Sequence, residues 1–158
     1  MKAKITPFLL FNTEAETAAR FYVSVFNGKL LNVQHYPDNS PMPGAVMTAT
    51  FEIFGTTMTA LNWGQEAKYT ESISFMIEPE TQEEVDHYWN ALIADGGSEG
   101  PCGWLKDKYG VSWQVAPEVL LHRINDPDPK KSAAVMQAMM KMKKIIIKDI
   151  EAAYEMVD

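Results

Sequence analysis

Cys102-Gly103-Trp104-Leu105-Lys106-Asp107-Lys108-Tyr109-Gly110-Val111-Ser112-Trp113-Gln114-Val115-Ala116-Pro117 concentrates aromatic residues, turn glycines and reactive groups in one short run. Its pattern predicts a strand ending at Asp107, a tight turn ending at Tyr109-Gly110, and a second strand over residues 111–116 stopped by Pro117. Side chains alternate along a strand, so Val111, Trp113 and Val115 share one face while Ser112, Gln114 and Ala116 share the other. The first face suits a core. The second offers a hydroxyl and an amide to a ligand.

Outward from this hairpin, one order of elements is legible twice. Residues 4–11 predict a strand whose Pro7 confines it to an edge or a strand start. A helix follows over 14–26, capped by Asn12 or Thr13, with Glu14 and Glu16 in its first turn and Asn27-Gly28 at its end. Its apolar stripe is Ala18, Phe21, Tyr22, Val25 and Phe26. Residues 29–36 predict a second strand, and 37–44 hold three prolines and a glycine, which makes a loop. Strands over 45–54 and 56–62 then flank Gly55.

The second copy begins with a strand over 71–78, in which Ile73, Phe75 and Ile77 alternate with Ser72, Ser74 and Met76 before Pro79 stops it. A helix over 81–94 turns Val85, Tyr88, Trp89, Leu92 and Ile93 inward and breaks at Asp95-Gly96-Gly97. The opening hairpin completes it. Phe21-Tyr22-x-x-Val25-Phe26 stands 67 residues before Tyr88-Trp89-x-x-Leu92-Ile93, and Phe54-Gly55 stands 55 before Tyr109-Gly110, which points to duplication. The predicted organisation is a first βαβββ module over 1–64, a second over 65–118 and a helical extension over 119–158, together one domain. In that extension Met136, Met139, Met140 and Met142 fall near helical spacing on a lysine-rich segment. It predicts helices packing a Met-rich face on the domain or on a sister subunit, or else a basic amphipathic helix.

Composition bounds the function. The chain has 158 residues, 46% of them hydrophobic and 22% charged, as expected of an ordinary globular protein. A net charge of -7 repels phosphate backbones and anionic membranes, so neither nucleic acid nor a membrane is the expected partner. The single Cys102 forms no internal disulfide, and no apolar run reaches a membrane-spanning length; both point to the reducing cytoplasm.

The signature Phe21-Tyr22-x-x-Val25-Phe26-x-Gly28 and the turn Asp107-x-x-Gly110-Val111-x-Trp113 resemble the vicinal oxygen chelate superfamily of glyoxalases, bleomycin-resistance proteins and extradiol dioxygenases. Cys102-Gly103-Trp104, the run from Asp107 to Pro117 and the Met-rich C-terminal segment with Ile145 to Tyr154 look like its PhnB-like family, often labelled 3-demethylubiquinone-9 3-methyltransferase-like. The resemblance implies an α+β fold: two βαβββ modules forming a curved mixed β-sheet cup, helices outside and ligand inside, commonly as a homodimer. It also implies metal ligands, in the metal-using relatives, near Pro7, at Ser72, near Met58 or Thr59, and at Gln114. Of these only Gln114 could coordinate, where such relatives place a Glu, and one weak oxygen ligand does not hold a divalent ion. No metal and no cofactor are therefore expected. His35, His87 and His122 lie off that ring and are expected to be structural.

The expected ligand-binding set is Thr59, Asn62, Trp63, Ser72, Ser74, Trp104, Ser112 and Gln114, holding a polar or aromatic metabolite. Core or rim packing is the competing explanation for the tryptophans. Gln114, Glu52 and Cys102 are weak catalytic candidates. Cys102 has no evident base beside it, and Glu52 and Asp107, each three residues before a turn glycine, are explained at least as well as turn formers. An enzyme, a lyase or transferase polarising a carbonyl or hydroxyl in the cup, is the alternative to a binding protein. Methyl transfer from S-adenosylmethionine is disfavoured, since no glycine-rich strand-to-helix loop and no parallel-sheet pattern is present.

Overall fold

Alternating apolar and polar residues build two sheets of the same topology, each under its own helix. The computed structural model describes residues 3–157 and divides after Lys68 into two units. The first holds β1 (Phe8–Phe11), α1 (Ala15–Val25), β2 (Lys29–His35), β3 (Val46–Ile53) and β4 (Thr56–Asn62). Its sheet runs β1-β4-β3-β2, with β1 parallel to β4 and the other pairs antiparallel. Leu9, Phe11, Ala49, Phe51, Ile53, Met58 and Ala60 are buried on one side, and Ala15, Ala18, Ala19, Tyr22 and Val25 of α1 are buried with them. The small alanines let the helix lie close, and Tyr22 stacks on Phe51 at 5.7 Å between ring centres.

The β3–β4 hairpin turns at Phe54 and Gly55, both at positive φ (47° and 73°), the primed geometry that matches the twist of the flanking strands. A phenylalanine seldom adopts that backbone; here its exposed ring lies edge-on to Phe26 at 5.6 Å. Gly28, between α1 and β2, cannot carry a side chain, since a Cβ there would stand 2.3 Å from the Glu52 carbonyl oxygen.

The expected cap of α1 is corrected. Glu14 occupies the cap position but makes no side-chain capping bond, and the Ala15 N–H is instead accepted by Asn62 Oδ1 at 2.8 Å. Asn62 Nδ2 donates to the carbonyls of Thr13 (3.1 Å) and Val46 (3.0 Å). The parallel pairing of β1 with β4 delivers Asn62 to the helix start, a contact that local capping patterns cannot reveal.

The second unit repeats the plan with β5 (Phe75–Ile77), α2 (Gln82–Ile93), β6 (Ser98–Glu99), β7 (Trp104–Lys106) and β8 (Ser112–Val115), in sheet order β5-β8-β7-β6 with β5 parallel to β8. Ile77, Leu105, Trp113 and Val115 are buried together with Val85, Trp89 and Leu92 of α2. Three helices follow, α3 (Glu118–Ile124), α4 (Pro129–Met139) and α5 (Ile147–Glu155), around a small core of Ala116, Leu120, Val135, Ile145 and Ile150. Met139 and Met142 pack against that core, whereas Met136 and Met140 are exposed.

Three expectations change here. The strand over 71–78 shrinks to β5, because it ladders only with the short β8, so Ser72 and Ser74 precede the strand and Ile73 is 75% exposed. The two-residue β6 escapes the pattern altogether. Ala116 lies past β8 in the helical core rather than beside Ser112 and Gln114.

The hairpin between β7 and β8 is organised by Asp107, 2% exposed. Its Oδ1 accepts from the Tyr109 N–H (2.9 Å) and the Val111 N–H (3.1 Å), and its Oδ2 accepts from Trp113 Nε1 (2.9 Å). Asp107→Ala leaves these donors without their carboxylate and is expected to cost about 3 kcal/mol. Asp107→Asn, which keeps one acceptor, is expected to fall between. Urea unfolding followed by near-ultraviolet circular dichroism measures both.

Candidate functional site

Register decides which side chains meet. Trp104 pairs with Gln114, Lys106 with Ser112, Ser98 with Lys106, and Met76 with Gln114. Residues opposite one another in a ladder project to the same side, so these six share the face turned away from the buried Leu105 and Trp113. Trp104, Lys106, Ser98 and Ser112 of this face line a cleft of about 480 Å³ together with Leu105, Pro101 and Gly100 and with Glu99 and Glu71.

The polar groups are organised. The Lys106 ammonium pairs with the Glu71 carboxylate, and this neighbour holds the Glu71 carboxyl below its ordinary range. Gln114 Nε2 donates to Ser74 Oγ at 2.8 Å. Ser112, 1% exposed, directs its hydroxyl to the Thr70 carbonyl at 3.5 Å. Glu99 accepts from the Trp89 indole at 3.2 Å and from Lys143 at 3.2 Å, and those two contacts, the indole first, lower its pKa.

The cleft wall is tied to the C-terminal segment. Cys102 and Gly103, both at positive φ (57° and 80°), donate their N–H groups to the carbonyls of Met142 (2.8 Å) and Lys143 (2.7 Å). A side chain at Gly103 would meet the Val115 carbonyl oxygen at 2.7 Å, so the bend requires glycine. On α2, Gln82 grips the same segment with both ends of its amide: Nε2 donates to the Ile145 carbonyl (3.2 Å) and Oε1 accepts from the Ile147 N–H (2.8 Å). Lys144 pairs with Asp86 at 2.7 Å, lowering that carboxyl too.

Of the residues expected from sequence, the structure gathers Ser74, Trp104, Ser112 and Gln114 on one face, with Trp104 and Ser112 in the cleft. Ser72 sits in the turn before β5, where its N–H bonds the Thr70 hydroxyl at 3.2 Å. Cys102 lies at the bend just described. Thr59, Asn62, Trp63 and Glu52 belong to the first unit. Thr59 shares a hydroxyl contact with Thr50 at 3.3 Å, Asn62 is committed to the start of α1, and Trp63 is 43% exposed just past β4. Sequence reasoning passed over Lys106, although its alternation with Trp104 places both on one face, and over Glu71, Ser98 and Glu99, which carry no local signal.

Superposing the two ladders corrects the match of Glu52 with Asp107. Thr59 and Gln114 each stand four residues after the turn glycine and on the face away from the helix, so Thr59 is the counterpart of Gln114. Glu52 pairs with Thr57 and Lys106 with Ser112, two residues earlier on each strand, so Glu52 corresponds to Lys106. The second hairpin holds one more residue between these pairs, which rotates Asp107 toward the core side.

A divalent ion does not fit the donors present. The counterpart positions carry the neutral oxygens of Thr59 and Gln114, whose Nε2 is turned to Ser74, and among the described residues no three His, Cys, Asp or Glu side chains converge.

Residues 3–116 match the family model described as 3-demethylubiquinone-9 3-methyltransferase. The PhnB protein of Bacillus cereus, to which the same methyltransferase label is provisionally attached, is 33% identical, with 73% of this chain and 99% of that one covered at a TM-score of 0.64. A Pseudomonas aeruginosa protein, PA1353, is 22% identical over 74% of this chain and 98% of its own, TM-score 0.61. The fosfomycin resistance protein FosX of Mesorhizobium loti is 12% identical over 80% and 99%, TM-score 0.57, a likeness of fold. No curated protein matches the sequence.

Lys143→Ala is expected to lower the urea midpoint at pH 7, and the gap from wild type is expected to close in acid. Glu99 has a depressed pKa in the fold, so its contribution is present above the ordinary carboxylate value of about 4.3 and disappears as pH falls through the folded value. Urea titrations of the two proteins at stepped pH measure the gap.

Proposed function

The chain belongs to the family described as 3-demethylubiquinone-9 3-methyltransferase, the PhnB-like branch of the vicinal oxygen chelate superfamily, and we propose that this member binds a small polar or aromatic metabolite without a metal. The ligand would lie on the polar face of the second sheet. The carrying observation is the cleft itself: about 480 Å³ with an indole wall and two serines among its polar lining, within the size range of small-molecule sites. Trp104 supplies stacking surface, Ser98 and Ser112 supply hydroxyls, and Ser74 with Gln114 extends the polar surface along β8.

Methyl transfer is set aside on the fold's own terms. Each sheet is a mixed βαβββ arrangement, and neither has the parallel strand-loop-helix cradle that holds an adenosyl cofactor. The family name describes kinship.

On this reading the protein works in the cytoplasm as a homodimer. Supporting it are the single cysteine, the absence of any helix among the described residues long and apolar enough to cross a membrane, and the exposed Met136 and Met140. Light scattering is expected to return twice the 17.8 kDa of one chain.

A metabolite panel screened by thermal shift tests the site. Trp104→Ala is expected to weaken each hit about fivefold or more, as befits loss of about 1–3 kcal/mol of aromatic contact, while Trp63→Ala leaves hits unchanged. Hits indifferent to Trp104 would move the site elsewhere. Metal analysis of protein purified without chelator is expected to find no stoichiometric ion; an ion lost on Gln114→Ala overturns the metal-free reading.

A further inference from the structure

We propose that the cleft of the second sheet accepts an aromatic zwitterion, an α-amino acid or a close relative, whose carboxylate takes Lys106 and whose ammonium takes Glu71. This deepens the reading of that face as a ligand site and rests on it. The starting point is where the two charges come from. Lys106 projects from β7 and Glu71 from the turn before β5, so the ion pair joins two separate elements and both partners line the cleft. Their side chains are 38% and 65% exposed, and an ion pair in that setting contributes little to the fold and opens readily.

Charge balance then selects the ligand. A simple anion seated on Lys106 strips Glu71 of its partner, and a simple cation on Glu71 strips Lys106. A neutral molecule gains from neither. A ligand bearing both charges gives each group a new charged partner. Glu99, the remaining charge in the lining, already accepts from the Trp89 indole and from Lys143.

The body of the ligand is set by Trp104. Its ring stands two residues from Lys106 on the same face of β7. Pro101 and Gly100 continue the apolar wall, and any side chain at Gly100 would run into the Trp104 carbonyl oxygen at 2.9 Å. An aromatic ring laid on this wall stacks on the Trp104 indole, with Lys106 and Glu71 in the same lining for its charged end.

A matched set of probes isolates each charge: L-phenylalanine, 3-phenylpropionate, which lacks the ammonium, and phenethylamine, which lacks the carboxylate. Isothermal titration of wild type at millimolar probe is expected to show phenylalanine bound at least about tenfold more tightly than either analogue. Lys106→Gln should reduce phenylalanine to the level of the amine, and Glu71→Gln to the level of the acid; circular dichroism checks that both variants fold. Either analogue binding as tightly as phenylalanine, with binding still lost in Trp104→Ala, overturns the zwitterion while leaving the cleft as a ligand site. No heat with any of the three overturns the proposal as well. Panel hits that ignore Trp104 would overturn the site reading beneath it.

Discussion

A carboxylate sealed from water sets the register of the second sheet. Asp107 takes two backbone N–H groups of its own turn and the indole N–H of Trp113 across the hairpin. A buried carboxylate needs such partners, and here meeting that need also defines the turn. With Asp107 facing inward, Lys106 and Trp104 must face outward, opposite Ser112 and Gln114. A one-residue slip would exchange the faces and put the lysine under α2. The cleft is therefore a by-product of how one acid is satisfied.

How much of this was legible depends on the range of the interactions. The strand Thr56–Asn62 and the helices α1 and α2 follow from local alternation and breakers, and their observed bounds lie within a residue of the pattern. The duplicated element order was visible because Phe21-Tyr22 and Tyr88-Trp89, Phe54-Gly55 and Tyr109-Gly110 keep order and approximate spacing. Hidden were the contacts made across the fold. Asn62 reads as a strand-end amide and turns out to cap a helix 47 positions upstream. Ser72 reads as a strand residue but lies in a turn, because the short β8 offers nothing to ladder with. Of the candidate site, Ser112 and Gln114 followed from alternation, and Trp104 from its aromatic surface. Glu71, joined to Lys106 only through the fold, could not.

The two copies share topology and have parted in chemistry. On the first sheet the ladder positions corresponding to Lys106, Ser112 and Gln114 carry Glu52, Thr57 and Thr59, and Thr59 spends its hydroxyl on Thr50. The second sheet carries a lysine, a serine and a carboxamide at these places, beside an indole. At Thr59 and Gln114 the two sheets present an alcohol and an amide, neutral donors that hold a divalent ion poorly. Family membership and reaction are thus separable facts, since the fold persists while its donor atoms change.

Gln82 imitates a piece of backbone. Its carboxamide presents one N–H and one C=O to Ile145 and Ile147, as a neighbouring strand would. The family match ends at residue 116, and the helices beyond it are fastened through this side-chain surrogate and through the Cys102 and Gly103 amides. A tail held in this way docks on a helix flank without competing for a sheet edge, and it supplies to the Gln82 carboxamide and the Cys102 and Gly103 amides the partners that water would otherwise be.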